Sequence, residues 1–347
     1  MFKKKWMFAI CLAIALVGLP VAGGAKKRDK TDGAIREITT PALASLWRNP
    51  ADVTSRNVFY GPGGKEHEPH GAFTFLKEDL DGTNPKFVAQ DQDGVKWKVK
   101  LGAEARPETA ATRLVWAAGY FANEDYFLPA IRVANLPPHL HRGQKFIEPD
   151  GSIRNVRLKR YLKGEEKVGN WSWRDGPFTG TRELNGLRVM MALINNWDLT
   201  EENNAIYKET LDGDSTRPAR IYMVSDLGSS FGTPGLTWPM RRARGNVQSY
   251  SHSDFVRKLT PDYVDFEAPH RDSLFFLATP HEYSEKLRLN WIGRHIPRAD
   301  ARWLGELLKH LSPDQIRDAF RAAGYSPQEV EGFTTAVRGR IAELATL

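Results

Sequence analysis

Asp198, Asn203 and Asp226 lie within one stretch, Thr181–Gly228, and all three carry oxygen-bearing side chains. Two carboxylates and a carboxamide at the ends of extended segments provide hard oxygen ligands, the kind that hold magnesium against nucleotide phosphates. Phosphoryl transfer also needs a carboxylate near the attacking hydroxyl. Asp198 opens the run Asp-Leu-Thr-Glu-Glu-Asn, and Asp226 opens Asp-Leu-Gly. Taken alone the spacing is common: Asp198 as a turn cap and Asn203-Asn204 as turn formers would satisfy it equally well. Asn204 is an alternative to Asn203 as the metal ligand.

Two other sets of residues compete for attention. His67 and His70, and His139 and His141, are paired closely enough to suggest zinc, which would make the chain a metal-dependent hydrolase. Neither pair sits in a helical frame, and Pro69 excludes one for the first, so surface loops account for them better. Trp171, Trp173 and Trp238 read as core or packing residues before they read as a stacking surface. Arg241, Arg242 and Arg244 form either a solvated basic loop or a contact for an anionic acceptor. No serine-hydrolase elbow, P-loop or dinucleotide-binding glycine pattern occurs.

The elements that must position these groups follow from periodicity. Leu184, Leu187, Met191 and Ile194 recur at spacings of three and four, which predicts a buried helix from about Thr181 to Trp197 that delivers Asp198. Ala205–Tyr207 and Ile221–Ser225 read as strands. Upstream, Ala72–Lys77, Lys86–Gln90 and Val95–Leu101 form an antiparallel meander, with Asp91-Gln92-Asp93-Gly94 as a tight turn. In its third strand Trp97, Val99 and Leu101 face one way and Lys96, Lys98 and Lys100 the other. A helix is predicted over Pro107–Tyr120 and strands over Tyr126–Leu136 and Ser152–Leu162. Beyond Asn246 the chain reads as mainly helical, with Ser312-Pro313-Asp314 as one helix start.

Hydrophobic content of 41% with 26% charged residues describes a globular chain. The first 25 residues differ. Lys3–Lys5, an apolar run from Trp6 to Val21 and the small residues Ala22–Ala25 compose a cleavable export signal, too short to favour a stable membrane span. Cys11, the single cysteine, lies inside it, so the mature chain would carry no thiol. Three of the +7 formal charges belong to that leader, leaving +4. Basicity so mild and so spread does not call for a nucleic-acid partner. The expected location is periplasmic or extracellular.

The order of these motifs resembles the protein-kinase-like superfamily, in its atypical branches: phosphoinositide kinases, HipA-type kinases, and the spore-coat and secretory-pathway kinases. The resemblance covers roughly residues 70–232 and rests on a lysine ending the third strand (KWKVKLG), a helix opening with glutamate (PETAATRL), then DLTEEN and DLG. It implies an α+β, two-lobed kinase-like fold, an N-terminal antiparallel sheet with one helix and a mostly helical C-terminal lobe. The corresponding divisions are a leader at 1–25, an extension at 26–70, an N-lobe at 71–163 and a C-lobe at 164–347. It implies ATP or another nucleotide with Mg2+. Lys100 (or Lys98) would contact phosphates, Glu108 would pair with it, and Asp198 would serve the acceptor hydroxyl. Asn203 and Asp226 would bind the metal, and Gly82, Thr83 and Asn84 would form the turn over the phosphates. No G-x-G-x-x-G lies between the first strands, and Asn196-Trp197 stands where His-Arg precedes the aspartate in typical kinases. A catalytically inactive scaffold that keeps the nucleotide is the alternative expectation.

Overall fold

Residues 43–162, 164, 166–209, 219–233, 244–267 and 289–347 are described in the computed structural model. The leader with Cys11, and also Lys163, Trp238, Arg241 and Arg242, lie outside the described residues. The described chain is α+β, and its order is strands with one helix, then helices interleaved with two small sheets.

Strands β2 (Phe73–Asp79), β3 (Lys86–Gln90), β4 (Lys96–Leu101), β5 (Asp125–Ala134) and β6 (Ser152–Arg160) form a barrel in the order β2-β3-β4-β6-β5. The expected meander is its first three strands. A parallel pairing closes it, Phe73 with Val133 and Thr74 with Ala134. Closure removes the two open edges that a free sheet would present. The alternation in β4 holds: Trp97, Val99 and Leu101 are buried inside with Phe73, Phe87, Tyr126, Val156 and Leu158. Asp91 fixes the β3–β4 turn, its Oδ1 accepting from the N–H groups of Asp93 (3.0 Å) and Val95 (2.9 Å). Its Oδ2 takes the Trp97 indole N–H at 2.7 Å, so the turn and the core are set by one side chain.

Helix α1 (Ala105–Ala117) begins two residues before the expected Pro107. Its Ala110, Ala111, Leu114, Val115 and Ala117 belong to the larger core, which also takes in most of the C-terminal half, and not to the barrel interior. A second sheet, β1-β9-β8-β7, comprises β1 (Leu43–Ser45), β7 (Glu166–Gly169), β8 (Asn204–Glu209) and β9 (Ala219–Val224). The segment after β1 is fastened across the molecule. Trp47 Nε1 donates to Ala118 O at 2.8 Å, and Gln315 Nε2 donates to the carbonyls of Val53 and Arg56.

Helix α2 (Arg182–Leu193) starts where predicted, with Thr181 Oγ1 accepting from Leu184 N at 3.2 Å. It ends four residues before the expected Trp197. Asn195 adopts a left-handed φ of +52°, and Asp198 therefore sits in a loop beyond the helix. This end is braced from 145 residues away. The Arg340 guanidinium donates to Leu193 O and Asn195 Oδ1 (2.9 and 2.8 Å) and places a cation at the helix C-terminus, where the macrodipole favours one.

The second half holds more strand than expected, because β10 (Val256–Leu259), β11 (Tyr263–Phe266) and β12 (Ile296–Pro297) form a three-stranded sheet. Each is too short to display a period. Helices α3 (Val247–Ser251), α4 (Arg298–Leu308), α5 (Pro313–Ala322) and α6 (Pro327–Ala345) are the remaining α-helices wholly among the described residues. Ser312 and Ser326 each close a reciprocal capping box, with Gln315 and Glu329.

Candidate active site

Lys100 is the penultimate residue of β4 and faces away from the barrel interior. Gly102 follows at φ +89°, where a Cβ would stand 2.9 Å from the Phe146 ring. That turn folds the chain back, so Glu104 returns beside Lys100 four residues on, and Glu108 lies one helical turn further along the same face. Lys100 Nζ lies 3.2 Å from Glu104 Oε2, 2.8 Å from Glu108 Oε2 and 3.0 Å from Asp226 Oδ2. A strand, a helix and the exit of β9 thus deliver one ammonium and three carboxylates to one point, and only 5% of the lysine side chain reaches solvent.

Behind this cluster stands Arg157 of β6, paired in register with Lys100. It reaches Glu108 Oε1 at 2.6 Å and Asp125 Oδ1 at 3.3 Å, all three side chains being essentially inaccessible. Burial alone would lower the Lys100 pKa, but the charges of Glu108 and Asp226 outweigh it and raise it. Complete burial pushes the Glu108 carboxyl up, against the pull of Arg157 and Lys100. For Asp226, burial is overcome by the Lys100 charge and by the Gly228 N–H that donates to its Oδ1 at 3.0 Å, which hold it at about 2. Gly228 is required by contact and not by φ: a Cβ there would lie 2.7–2.9 Å from the Glu104 carboxylate.

Asp198 and Asn203 approach from the other side of the sequence. Asn203 O accepts from Ser225 N at 2.7 Å and Asp226 N at 3.3 Å, which ties the two acid-bearing segments together. Asn203 Nδ2 donates to Asp198 O at 2.9 Å, and this keeps its Oδ1 available as a ligand. Asp198 has an outer surface open to solvent. Partial enclosure of its carboxylate, then the charge of Asp226, raise its pKa above the ordinary carboxylate range. Asn204 is fully buried and donates to Trp171 O at 2.9 Å, a structural position.

Two indoles hold these loops. Trp171 Nε1 donates to Met223 O (2.9 Å) on β9, and Trp173 Nε1 to Leu199 O (3.0 Å), the residue after Asp198. Trp173→Phe keeps the packing but leaves that carbonyl unpaired. The expected cost is about 1–3 kcal/mol in chemical denaturation, relative to wild type measured under the same conditions. A variant as stable as wild type would show that the indole hydrogen bond does not hold the Asp198 loop.

The remaining predicted residues fall elsewhere or at the margin. Lys98 pairs with Asp79 at 2.9 Å and is not part of the carboxylate cluster. Gly82 and Thr83 are exposed in a turn whose carbonyls at Asp79 and Gly82 are clamped by Arg142. Asn84 reaches inward, donating to Glu104 Oε2 at 2.5 Å. Arg244 pairs with the other oxygen of Glu104. The histidines do not converge: His67 meets Glu124, His70 meets Asp93 and His141 meets Glu78. Among the described residues the one group of three potential metal-binding side chains is Glu104, Glu108 and Asp226, with ligand oxygens within 4.8 Å of one another.

Sequence reasoning missed Glu104, Arg157, Asp125 and Arg340. Glu104 carried no signal of its own, because Lys100 lies in a strand and only the turn at Gly102 brings the two together. Arg157 became visible only through strand register.

No family model matches the chain, and no curated protein matches it by sequence. Among solved structures it is similar to the Helicobacter pylori proinflammatory kinase CtkA, with TM-score 0.42 and 11% identity, over 79% of this chain and 95% of that one. It is also similar to the golgi casein kinase, with TM-score 0.34 and 12% identity, over 78% and 75% of the two chains. A third is the Rio2 kinase of Chaetomium thermophilum in its ADP/Mg2+-phosphoaspartate complex, with TM-score 0.31 and 9% identity, over 78% and 72%. All three of these similar structures are kinases.

Proposed function

We propose that the protein is a magnesium- and nucleotide-dependent phosphotransferase with a two-lobed, kinase-like arrangement, ATP being the first donor to test. One observation carries this reading: Lys100 Nζ is held between the helix carboxylate of Glu108 and the Asp226 carboxylate, with Glu104 beside them. A buried ammonium fixed by a helix glutamate is what nucleotide phosphates need. Its three carboxylates leave it fully charged before any ligand arrives.

The oxygen-only set of Asp226 and Asn203, with Glu104 adjacent, suits Mg2+ in its preference for hard donors. Bound there, the ion would offset phosphate charge. Asp198 would accept the proton of an acceptor hydroxyl as that hydroxyl's oxygen bonds to the γ-phosphorus and the bond to the β–γ bridging oxygen breaks. A carboxylate with a raised pKa serves this better than an ordinary one. The Asn203 amide and the Trp173 indole hold the loop that carries it. Export by the N-terminal leader belongs to the same proposal, with an acceptor in the cell envelope. No helix among the described residues is long and apolar enough to cross a membrane.

Thermal shift with Mg2+ and ATP, followed by transfer of labelled γ-phosphate, tests the proposal. Wild type and Lys98→Met should both be stabilised by the pair of ligands, and Lys100→Met should not. No shift for wild type with any nucleoside triphosphate would refute the reading. A shift lost in Lys98→Met and kept in Lys100→Met would assign the phosphates to the other lysine.

A further inference from the structure

A cavity of about 470 Å³ opens between the segment after α1, the end of β6 and the β8–β9 pair, a volume typical of small-molecule sites. None of Lys100, Glu104, Glu108, Asp198, Asn203 and Asp226 lines it. Four cations do, Arg48, Arg56, Lys159 and Arg160, against a single carboxylate, Glu124. That carboxylate is already engaged, by Arg160 at 3.4 Å and His67 at 2.9 Å.

Among the described residues, Arg48, Arg56 and Lys159 make no ion pair. They lie over aromatic rings instead: Arg48 over Phe121 at 5.3 Å, Arg56 over Trp116 at 4.5 Å and Lys159 over Tyr207 at 5.2 Å. Partial burial and then the charge of Arg48 push the Arg56 pKa below its usual range. Like charges gathered in a half-enclosed space cost free energy that a bound anion removes.

The same wall holds a second, uncharged signal. Asn123 is 6% exposed and lines the cavity; its Nδ2 donates to Ser225 O at 2.9 Å, and its buried Oδ1 has no partner. A buried amide oxygen without a donor is uncommon in a folded protein. Three cations without a carboxylate partner ask for a multiply charged anion, even with Arg56 donating to Trp116 O and Lys159 to Tyr207 Oη at 3.0 Å. The amide oxygen, closed to solvent, meets a ligand hydroxyl or N–H only when the Asn123 side chain turns.

We propose that this cavity binds a small phosphate monoester bearing hydroxyl groups, of the sugar-phosphate or nucleoside-monophosphate class. Its phosphate lies on Arg48, Arg56 and Lys159, and a turn of the Asn123 side chain presents the amide to one of its hydroxyls. The site is separate from the cluster around Lys100, and the inference stands whether or not the chain transfers phosphate.

Calorimetric titration of the intact protein in EDTA tests it, with glucose 6-phosphate, ribose 5-phosphate and AMP as probes; the chelator removes any magnesium-dependent binding elsewhere. At least one ester should bind below ~1 mM, and which one binds separates the sugar from the nucleotide source. Arg48→Gln and Lys159→Gln should each weaken it about tenfold, the loss of one charged hydrogen bond. Arg48 is exposed, so its variant should keep the wild-type melting temperature. Asp226→Asn should leave the ester affinity unchanged. The proposal is overturned if none of the three esters binds, if both cation variants bind like wild type, or if Asp226→Asn abolishes binding.

Discussion

Arg157→Met should destabilise the protein by about 3–5 kcal/mol, the cost of leaving buried charge without its partner. Asp125 loses its cation and Glu108 loses one of its two, keeping Lys100, and the two side chains are 0% and 1% exposed. Methionine fills much of the volume, so the loss reports charge and not a cavity. Against the total of roughly 5–15 kcal/mol available to a folded domain, this is a large fraction. The melting temperature should fall by on the order of 10 °C. Arg132→Met, which breaks the exposed pair with Asp150, should cost less than ~1 kcal/mol and serves as control.

The pH dependence of that loss identifies its origin. Burial already raises the Glu108 pKa with both cations in place, and removing Arg157 raises it further. An acid whose folded pKa exceeds its unfolded value binds more protons when folded, so stability rises as pH falls. The deficit of Arg157→Met relative to wild type should therefore narrow as pH falls from about 9 to about 7, where wild-type Glu108 itself takes up a proton, and change little below. A deficit that stays constant over that range would mean packing, and not the ion network, sets it.

Much of this site could be read from local sequence, and what could not be read has a common cause. Alternation in β4 put Trp97, Val99 and Leu101 inside the barrel and left Lys98 and Lys100 on the other face, as found. Alternation does not choose between the two lysines. That choice is made by Asp79, which takes Lys98 at the end of β2, and by the turn at Gly102, which brings Glu104 to Lys100. The starts at Thr181 and Ser312 rest on short-range hydrogen-bond patterns, and both were legible. Helix ends were harder. The early stop of α2 is made at Asn195, whose left-handed backbone ends the helix, and is braced by Arg340 from the last helix. Barrel closure through Phe73 and Val133 is a long-range pairing with no local signature. Arg157 belongs to the same class, since nothing but register sets it behind Glu108. The three short strands β10–β12 carry too few residues for a period to emerge.

Asp226→Asn should abolish magnesium-dependent nucleotide stabilisation and lower phosphate transfer by on the order of 10³-fold, the several kcal/mol that a bound cation contributes to a transition state. The fold should survive, because Lys100 keeps Glu104 and Glu108 as partners at 3.2 and 2.8 Å. The acid limb of the stability curve supplies an independent check. Lys100 holds Asp226 at about 2, below its unfolded value near 3.9. A depressed acid contributes stability above the unfolded pKa and loses it as pH falls through the folded one. Wild type should thus be the more stable protein above about pH 4, and the two should converge by about pH 2. The gap should stay well below the full linkage value, because 35% of the Asp226 side chain meets solvent and water screens the pair. Equilibrium denaturation of both proteins across that range measures it. Parallel curves down to pH 2 would show that the Lys100–Asp226 contact carries no net charge energy. An asparagine variant that still transfers phosphate at a tenth of the wild-type rate would remove Asp226 from the proposed metal site.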